Sequence, residues 1–477
     1  MHNHKRYSAM KDSGVPWLGE VPEHWGVRRF KYLLRERDKR SSEGTEQLLR
    51  VSQFTGVTER KRAGEGDEPD TRSESLIGYK CVEANDLVVN IMLAWNGSMG
   101  VSSFQGIASP AYCVYRFSTP AQPWYFHHLL RSPTYKARIK AVSTGVVDSR
   151  LRLYSDALFR LEALLPPLPE QTAIVRFLDH VDRRIRRYIR SRQKLIKLLE
   201  EQKQAIIHRA VTRGLDPDVR LKPSGVEWLG DVPEHWEVRR AKAVCSAIID
   251  CKNRTPNAID DGHYLVVRTT CVRDGRFDAA GGYLTDEKNF RIWTARGAPQ
   301  HGDVFFTREA PAGEACLVPE RADLCMGQRM MYLRPNPELL DSEFLLHNIY
   351  GPLTRTYVEL ATNGSTVGHL RLDQVYSLPL LWCPLEEQRA IVRYIKDSTT
   401  AIGHARVTAE REISLLREYR TRLIADVVTG KLDVREAAAR LPDDTEDTDS
   451  LDDFEPESID DEAAVDSPEE GLEDTEA

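Results

Sequence analysis

Hydrophobic residues recur in alternating steps of four and three along two stretches of the chain. In the first, Ile174, Leu178, Val181, Ile185, Tyr188, Arg192, Leu195, Leu199, Gln202 and Ile206 keep this spacing with two polar interruptions. The second stripe runs Ile391, Ile395, Ser398, Ile402, Ala405, Ala409, Glu412, Leu416, Tyr419 and Leu423, strong at both ends and weaker in the middle. That period is the seam of a coiled coil, and it predicts long helices over 170–212 and 387–429. Pro169 precedes the first, where its missing N–H costs nothing, and Glu170 and Glu387 complement the positive ends of the helix dipoles. Gly214 and Gly430 suit the C-terminal stops. At about 1.5 Å per residue, each helix would be roughly 65 Å long.

Outside these stretches the period shortens. Runs such as Asp86–Val89, Tyr112–Arg116, Asp303–Phe306 and Met330–Leu333 read as strands, while Trp124–Leu130 and Ser342–Ile349 read as short helices. The regions 26–166 and 237–383 are therefore mixed α+β domains.

The chain also repeats itself. Ser13–Lys31 returns as Ser224–Lys242, 211 positions later, with 15 of 19 residues identical. Pro167-Leu168-Pro169-Glu170-Gln171 returns as Pro384-Leu385-Glu386-Glu387-Gln388, and Val211-Thr212 and Leu215-Asp216 as Val428-Thr429 and Leu432-Asp433. A period this long is not that of a solenoid, whose units span about 20–50 residues. It marks two copies of one architectural half. The first helix carries the chain from the first mixed region to the second, where the second helix begins. If their stripes pack together, they must run antiparallel, with a domain at each end and pseudo-twofold symmetry.

The expected organisation is thus an N-terminal repeated segment (1–25), a first mixed domain (26–166) and a spacer with its repeated segment (167–236). A second mixed domain (237–383), a second helix (384–434) and an acidic tail (435–477) follow.

Composition changes this picture in one respect. The formal net charge of −7 hides an uneven distribution, because 18 of the 73 acidic residues lie between Pro442 and Ala477 with no Lys or Arg among them. The remaining 55 acids face 66 Lys and Arg, so residues 1–441 carry a net charge of +11. A basic body permits a nucleic-acid partner, and the tail has the composition of a disordered, solubilising extension. The eight cysteines include no Cys-x-x-Cys pair, which argues against zinc ribbons and disulfide frameworks. There is no run of about 18 apolar residues, and the N-terminus lacks the apolar core of a signal peptide. A reduced, cytoplasmic protein is expected.

The repeated Trp-Leu-Gly-x-Val-Pro-Glu-His-Trp segments (Trp17–Trp25, Trp228–Trp236) and the two Pro-Leu-x-Glu-Gln helix starts carry a specific resemblance. So do Asn90–Ser98 with Gly106–Tyr112, and Thr307–Pro311 with Gly327–Arg329. From Asp12 to about Val434 the chain resembles the specificity subunits of type I DNA restriction–modification systems, which serve defence against foreign DNA. The resemblance implies two target-recognition domains, each reading half of a bipartite, asymmetric DNA site, joined by two long antiparallel coiled-coil helices. It implies docking of methyltransferase subunits, two in number, and of motor-endonuclease subunits. S-adenosylmethionine, ATP and Mg are expected on those partners, and no cofactor or metal on this chain.

Catalytic signatures are weak. There is no Gly-x4-Gly-Lys-Ser/Thr phosphate loop. Ser109-Pro110-Ala111-Tyr112 lacks the second proline and the amide or carboxylate of a base-methylating motif, and reads as a turn into a core strand. Asp303 with Glu309 could be imagined as a metal pair, but Asp303 reads as an ordinary strand start. His24 and His235 are expected to pack within the repeated segments.

Reading DNA needs donors and acceptors on loops. The candidates are Gln53, Thr55, Trp95, Asn96, Ser98, Ser109, Tyr112 and Thr144 in the first domain. In the second they are Arg268, Thr269, Arg308, Gln328, Arg329, Asn363, Ser365 and Thr366. The first helix holds 12 Lys or Arg against four acids between Arg176 and Arg213, and the second only seven against five between Arg393 and Gly430. An evenly solvated face would not need that difference, so Arg183, Arg187 and Arg190 are candidates for subunit docking, with spacer DNA as an alternative contact. A self-contained DNA methyltransferase or nuclease, and a coiled-coil adaptor without a DNA role, are the competing readings.

Overall fold

A computed structural model describes residues 5–60, 75–145, 151–252, 254–362 and 368–442. They fall into two compact units, Met1–Arg187 with Leu416–Ala477, and Tyr188–Leu415. Asn363, Ser365 and Thr366 lie outside the described residues, as does the acidic tail beyond Pro442.

Each unit is built on a four-stranded antiparallel sheet with the same connectivity. In the first unit, Leu34–Arg37 pairs with Tyr112–Phe117, which pairs with Leu87–Asn90, and Met99–Val101 forms the other edge. In the second, Cys245–Asp250, Met330–Pro335, Val304–Thr307 and Ala315–Leu317 take the same order. The runs Leu87–Asn90 and Val304–Thr307 are buried along their whole length, which explains their continuous apolarity. A further strand pair closes the neck of each domain, Gly26–Arg29 with Glu162–Leu165 and Glu237–Arg240 with Pro379–Trp382. The main cores lie between sheet, short helices and the long helices. A smaller cluster in each unit, around Val51, Val57 and Val88 or around Leu265, Phe305 and Met326, sits under outer strands.

The long helices span Leu168–Arg213 and Leu385–Val428, and both contribute to both units. In the first unit Asp182 pairs with Arg420, and Ile174 and Phe177 share a core with Leu423 and Val427. In the second, Arg192 Nε lies 2.6 Å from Glu412, and Ile207 and Val211 share a core with Ile391 and Ile395. As one helix ascends the other descends, so the pairing is antiparallel in each unit. Pro169 lies inside the first turn, still a position whose N–H has no intrahelical partner. Four residues of the expected stripes sit on the outside, Tyr188, Gln202, Ala405 and Tyr419, while Ile207 is buried. A helix of 3.6 residues per turn drifts by about 20° per heptad against a strict 3.5 repeat, so the seam moves to neighbouring positions along each helix.

The repeated motifs turn out to be two sides of one joint. Glu170 is buried in the first turn of the first long helix, where it accepts hydrogen bonds from Trp25 Nε1 at 3.1 Å and Tyr7 Oη at 2.6 Å. His24 Nε2 lies 2.7 Å from its second oxygen. Glu387 receives Trp236 Nε1 at 3.0 Å and His235 Nε2 at 2.8 Å. The glutamates therefore do more than complement a dipole. His24 and His235, expected as packing residues, lie against the rings of Tyr7 and Trp236 and also hydrogen-bond to the glutamates from positions 40 % and 47 % exposed. The adjacent glutamines brace the domains. Gln171 Oε1 accepts from Gln122 N, and Gln388 Oε1 from Asp341 N, each at the start of a short helix.

Candidate nucleic-acid interface

In each unit the predicted loops converge on one end of the central sheet. Strand Leu87–Asn90 finishes there opposite the start of Tyr112–Phe117, with Asn90 paired to Tyr112, and Met99–Val101 begins beside Val89. The second unit repeats this, with Thr307 paired to Met330 and Ala315 beside Phe306.

In the first unit Gln53, Phe54 and Thr55 are exposed on the turn between strands Leu49–Ser52 and Gly56–Glu59. Arg131 draws this turn to the Trp95–Ser98 loop. Its guanidinium donates to the carbonyls of Ser52 (3.2 Å), Gln53 (3.0 Å) and Phe54 (2.9 Å), and to those of Gly97 (3.0 Å) and Met99 (2.7 Å). Asn96 Oδ1 accepts from the backbone N–H and hydroxyl of Ser98, and Ser98 is buried. Trp95 is half-buried against the core, with Lys140 Nζ 5.5 Å from its ring centre. The Gln53–Thr55 turn is therefore better displayed than Trp95 and Asn96, which are half-buried, or Ser98. Thr144 is exposed and bridges to Arg152, and Leu153 N donates to Ile91 O, which brings this strip to the same edge. Ser109 forms the turn into the core strand, accepting from Tyr112 N at 3.0 Å, and Tyr112 packs on the small core cluster.

In the second unit the parallel pair Tyr264–Val267 and Leu324–Met326 ends on one side, placing Arg268 and Thr269 beside Gly327, Gln328 and Arg329. Gly327 N donates to Val267 O, and Arg308 N to Arg329 O. Arg268, Gln328 and Arg329 are exposed. Arg329 is held by Glu309, Nε to Oε1 at 2.8 Å, while the other oxygen of Glu309 lies 3.1 Å from His369 Nδ1. Arg308 turns inward toward Asp250 at 3.4 Å, with a side chain only 13 % exposed. Asp303 is committed to a bidentate pair with Arg334, at 2.7 and 2.8 Å. Among the described residues no group of three or more His, Cys, Asp and Glu is placed to hold a metal ion.

Two cations at the first edge are partly withdrawn from water. Burial, and then repulsion by Arg420, pushes Arg131 down to about 10, and burial with the neighbouring Arg131 lowers Lys136. Lys136 lies over Gly97, and Arg152 is exposed nearby in the chain. Sequence reasoning missed Arg131, Lys136 and Arg152. It also missed the Asp274-Gly275 turn between Val272–Arg273 and Arg276–Phe277, although an Asp-Gly pair between alternating apolar and polar residues is a recognised hairpin signal. Arg273 and Arg276 are exposed on it. On the first long helix, Arg183, Arg187 and Arg190 are exposed. No helix among the described residues is long and apolar enough to cross a membrane.

Residues 233–409 match the family model described as type I restriction modification DNA specificity domain. The chain is 25 % identical over 443 residues to the putative type I restriction enzyme MjaX specificity subunit of Methanocaldococcus jannaschii, covering 88 % of this chain and 96 % of that protein. A chain from a solved structure concerned with complex assembly and conformational transition of the type I R-M system shares the fold. Its TM-score is 0.62 at 18 % identity, over 86 % of this chain and 99 % of that one. The HsdS subunit from Thermoanaerobacter tengcongensis is 19 % identical, with a TM-score of 0.44 over 86 % and 98 % of the two chains.

Proposed function

We infer that this chain is the DNA-specificity subunit of a type I restriction–modification system, recognising a bipartite, asymmetric site through its two mixed domains. One observation carries this reading: both units present the same end of the same sheet, yet furnish it with different side chains. The first offers Gln53, Thr55 and Asn96, with Lys136 and Arg152 nearby, and the second Arg268, Thr269, Gln328 and Arg329. Arginine pairs with guanine edges and Asn or Gln with adenine, so unlike edges imply unlike half-sites. Lys and Arg near the backbone would set affinity and position without specifying sequence.

The same reading gives the paired helices two roles, fixing the gap between half-sites and docking methyltransferase subunits, two per chain, with motor-endonuclease subunits joining the core. The chain itself would perform no chemistry. S-adenosylmethionine, ATP and Mg would belong to those partners, and the complex would work in the cytoplasm. Arg183, Arg187 and Arg190 are the proposed docking residues. Neither a self-contained methyltransferase or nuclease nor an adaptor without a DNA role is favoured by any observation. Ser109 serves a turn and Asp303 an ion pair.

The test is methylation mapping on a random duplex library, with the full chain alone and with its methyltransferase subunits. A discrete two-part motif should emerge only from the complex. Methyl transfer by the chain alone, or methylation by the complex without a motif, would refute the reading.

A further inference from the structure

The residue that caps the C-terminal end of one short helix occupies a special place in each unit. In the first unit the helix is Pro123–Leu130 and the residue is Arg131; in the second the helix is Ser342–Ile349 and the residue is Tyr350. Both are followed by one small residue and a proline that opens the next helix. The two positions are equivalent, but the side chains are chemically unlike.

Arg131 joins two loops by donating to five backbone carbonyls: Ser52, Gln53 and Phe54 on a hairpin turn, and Gly97 and Met99 at the start of the edge strand. Tyr350 joins the corresponding pieces. Its hydroxyl accepts from Gly275 N at 2.8 Å on a hairpin turn and from Ala315 N at 3.1 Å at the start of the edge strand. Its own proton faces Glu314 Oε2 at 2.9 Å, with Ala315 O at 3.0 Å, and that same carboxylate oxygen accepts from Asp274 N at 2.8 Å. Arg355 completes the cluster, donating to Glu314 Oε1 at 2.9 Å. Met99 and Ala315 are the first residues of matching strands, facing Val89 and Phe306 across matching ladders.

Two different side chains thus converge on one task, fixing a hairpin turn against the edge of the sheet where the reading loops gather. The hydrogen bonds of both side chains go to the loops they hold and, for Tyr350, to Glu314. We propose that Arg131 and Tyr350 are positioning residues for base discrimination, one for each half-site. This rests on the reading of the chain as a specificity subunit. A guanidinium suits bare carbonyls because its donors form a rigid planar fork, which a lysine ammonium cannot reproduce. A hydroxyl suits a turn that presents N–H groups.

The experiment compares R131Q, R131K and Y350F in the full chain with its methyltransferase subunits, mapping methylated sites on a random duplex library and recording thermal midpoints. R131Q should lower discrimination at one half-site by about tenfold, the scale of a lost base contact, and leave the other within about twofold. Y350F should do the reverse. R131K, which keeps the charge without the fork, should fall between R131Q and the parent, and it carries the test should R131Q fail to fold. Lower thermal midpoints with both half-site motifs intact would overturn the inference, as would blurring of the same half-site by both variants. A parent complex that yields no two-part motif would instead remove the specificity reading, and the inference with it.

Discussion

Trp25 donates its indole N–H to Glu170 at 3.1 Å, joining residues 145 positions apart in the chain. Trp236 and Glu387 repeat the contact at 3.0 Å. Each tryptophan also lies against the end of a long helix: a Cβ added to Gly430 would stand 3.1 Å from the ring of Trp25, and one added to Gly214 would stand 3.4 Å from that of Trp236. One indole thus gathers a helix start and a helix end in each unit.

The two joints should differ in strength. Glu170 is buried with three donors around it, whereas the Glu387 side chain is 29 % exposed with two. Each buried donor left unpaired costs about 1–3 kcal/mol. E170A should lower the urea midpoint clearly more than E387A does. Equal shifts would show that burial of the carboxylate does not govern the joint.

Glycine substitutions should split in sign. Gly430 has φ +76°, and a Cβ there would collide with the Pro22 ring, so G430A should destabilise by more than about 1 kcal/mol. Gly403 sits within the second long helix with nothing within 4 Å of an added Cβ. G403A should therefore stabilise by about 0.5–1 kcal/mol. Thermal midpoints of the two variants check both signs.

His347 should confer an acid-sensitive component of stability. Burial, helped by nearby Lys203, pushes its imidazole down to about 4 from an ordinary value of 6.5. The unfolded chain then binds more protons than the folded one between those values, so stability is intact above about 6.5 and falls as pH drops toward 4. The loss from this group is on the order of 2–3 kcal/mol at the lower limit. H347Q should flatten the denaturant midpoint between pH 6.5 and 4, and an unchanged profile would exclude the assignment.

Reversing charge on the first helix should separate docking from DNA contact. The variant R183E/R187E/R190E is expected to reduce co-elution with the methyltransferase subunits by at least about tenfold. The slope of log affinity against log salt for DNA should stay unchanged, since that slope counts phosphate contacts. A shallower slope with normal co-elution would assign these arginines to spacer DNA instead.

The repeated segments, the helix stripes and the strand runs were legible because their signals are local. Periods of 3.5 and of extended runs survive in sequence whatever the partner, and the helices observed at Leu168–Arg213 and Leu385–Val428 follow them. The seam itself was less legible, as exposed Tyr188 and Tyr419 demonstrate, because a straight helix drifts against a strict 3.5 repeat and the packing partner decides which neighbouring position faces inward. Donor-rich loops could be picked by residue type, yet Ser98 and Arg308 face inward and Arg329 faces out.

What the sequence determined by itself was the duplication, the two kinds of element and the divergence between the copies. Only the tertiary structure decided which residues meet. That Glu-His-Trp and Leu-x-Glu-Gln are complementary halves of one joint, and that Arg131 and Tyr350 do equivalent work, left no periodic trace. Hydrogen bonds between residues tens to hundreds of positions apart depend on how the chain returns to itself, and unlike side chains can satisfy the same backbone groups. Local pattern fixes the elements, but the partner of a polar atom is chosen by the fold.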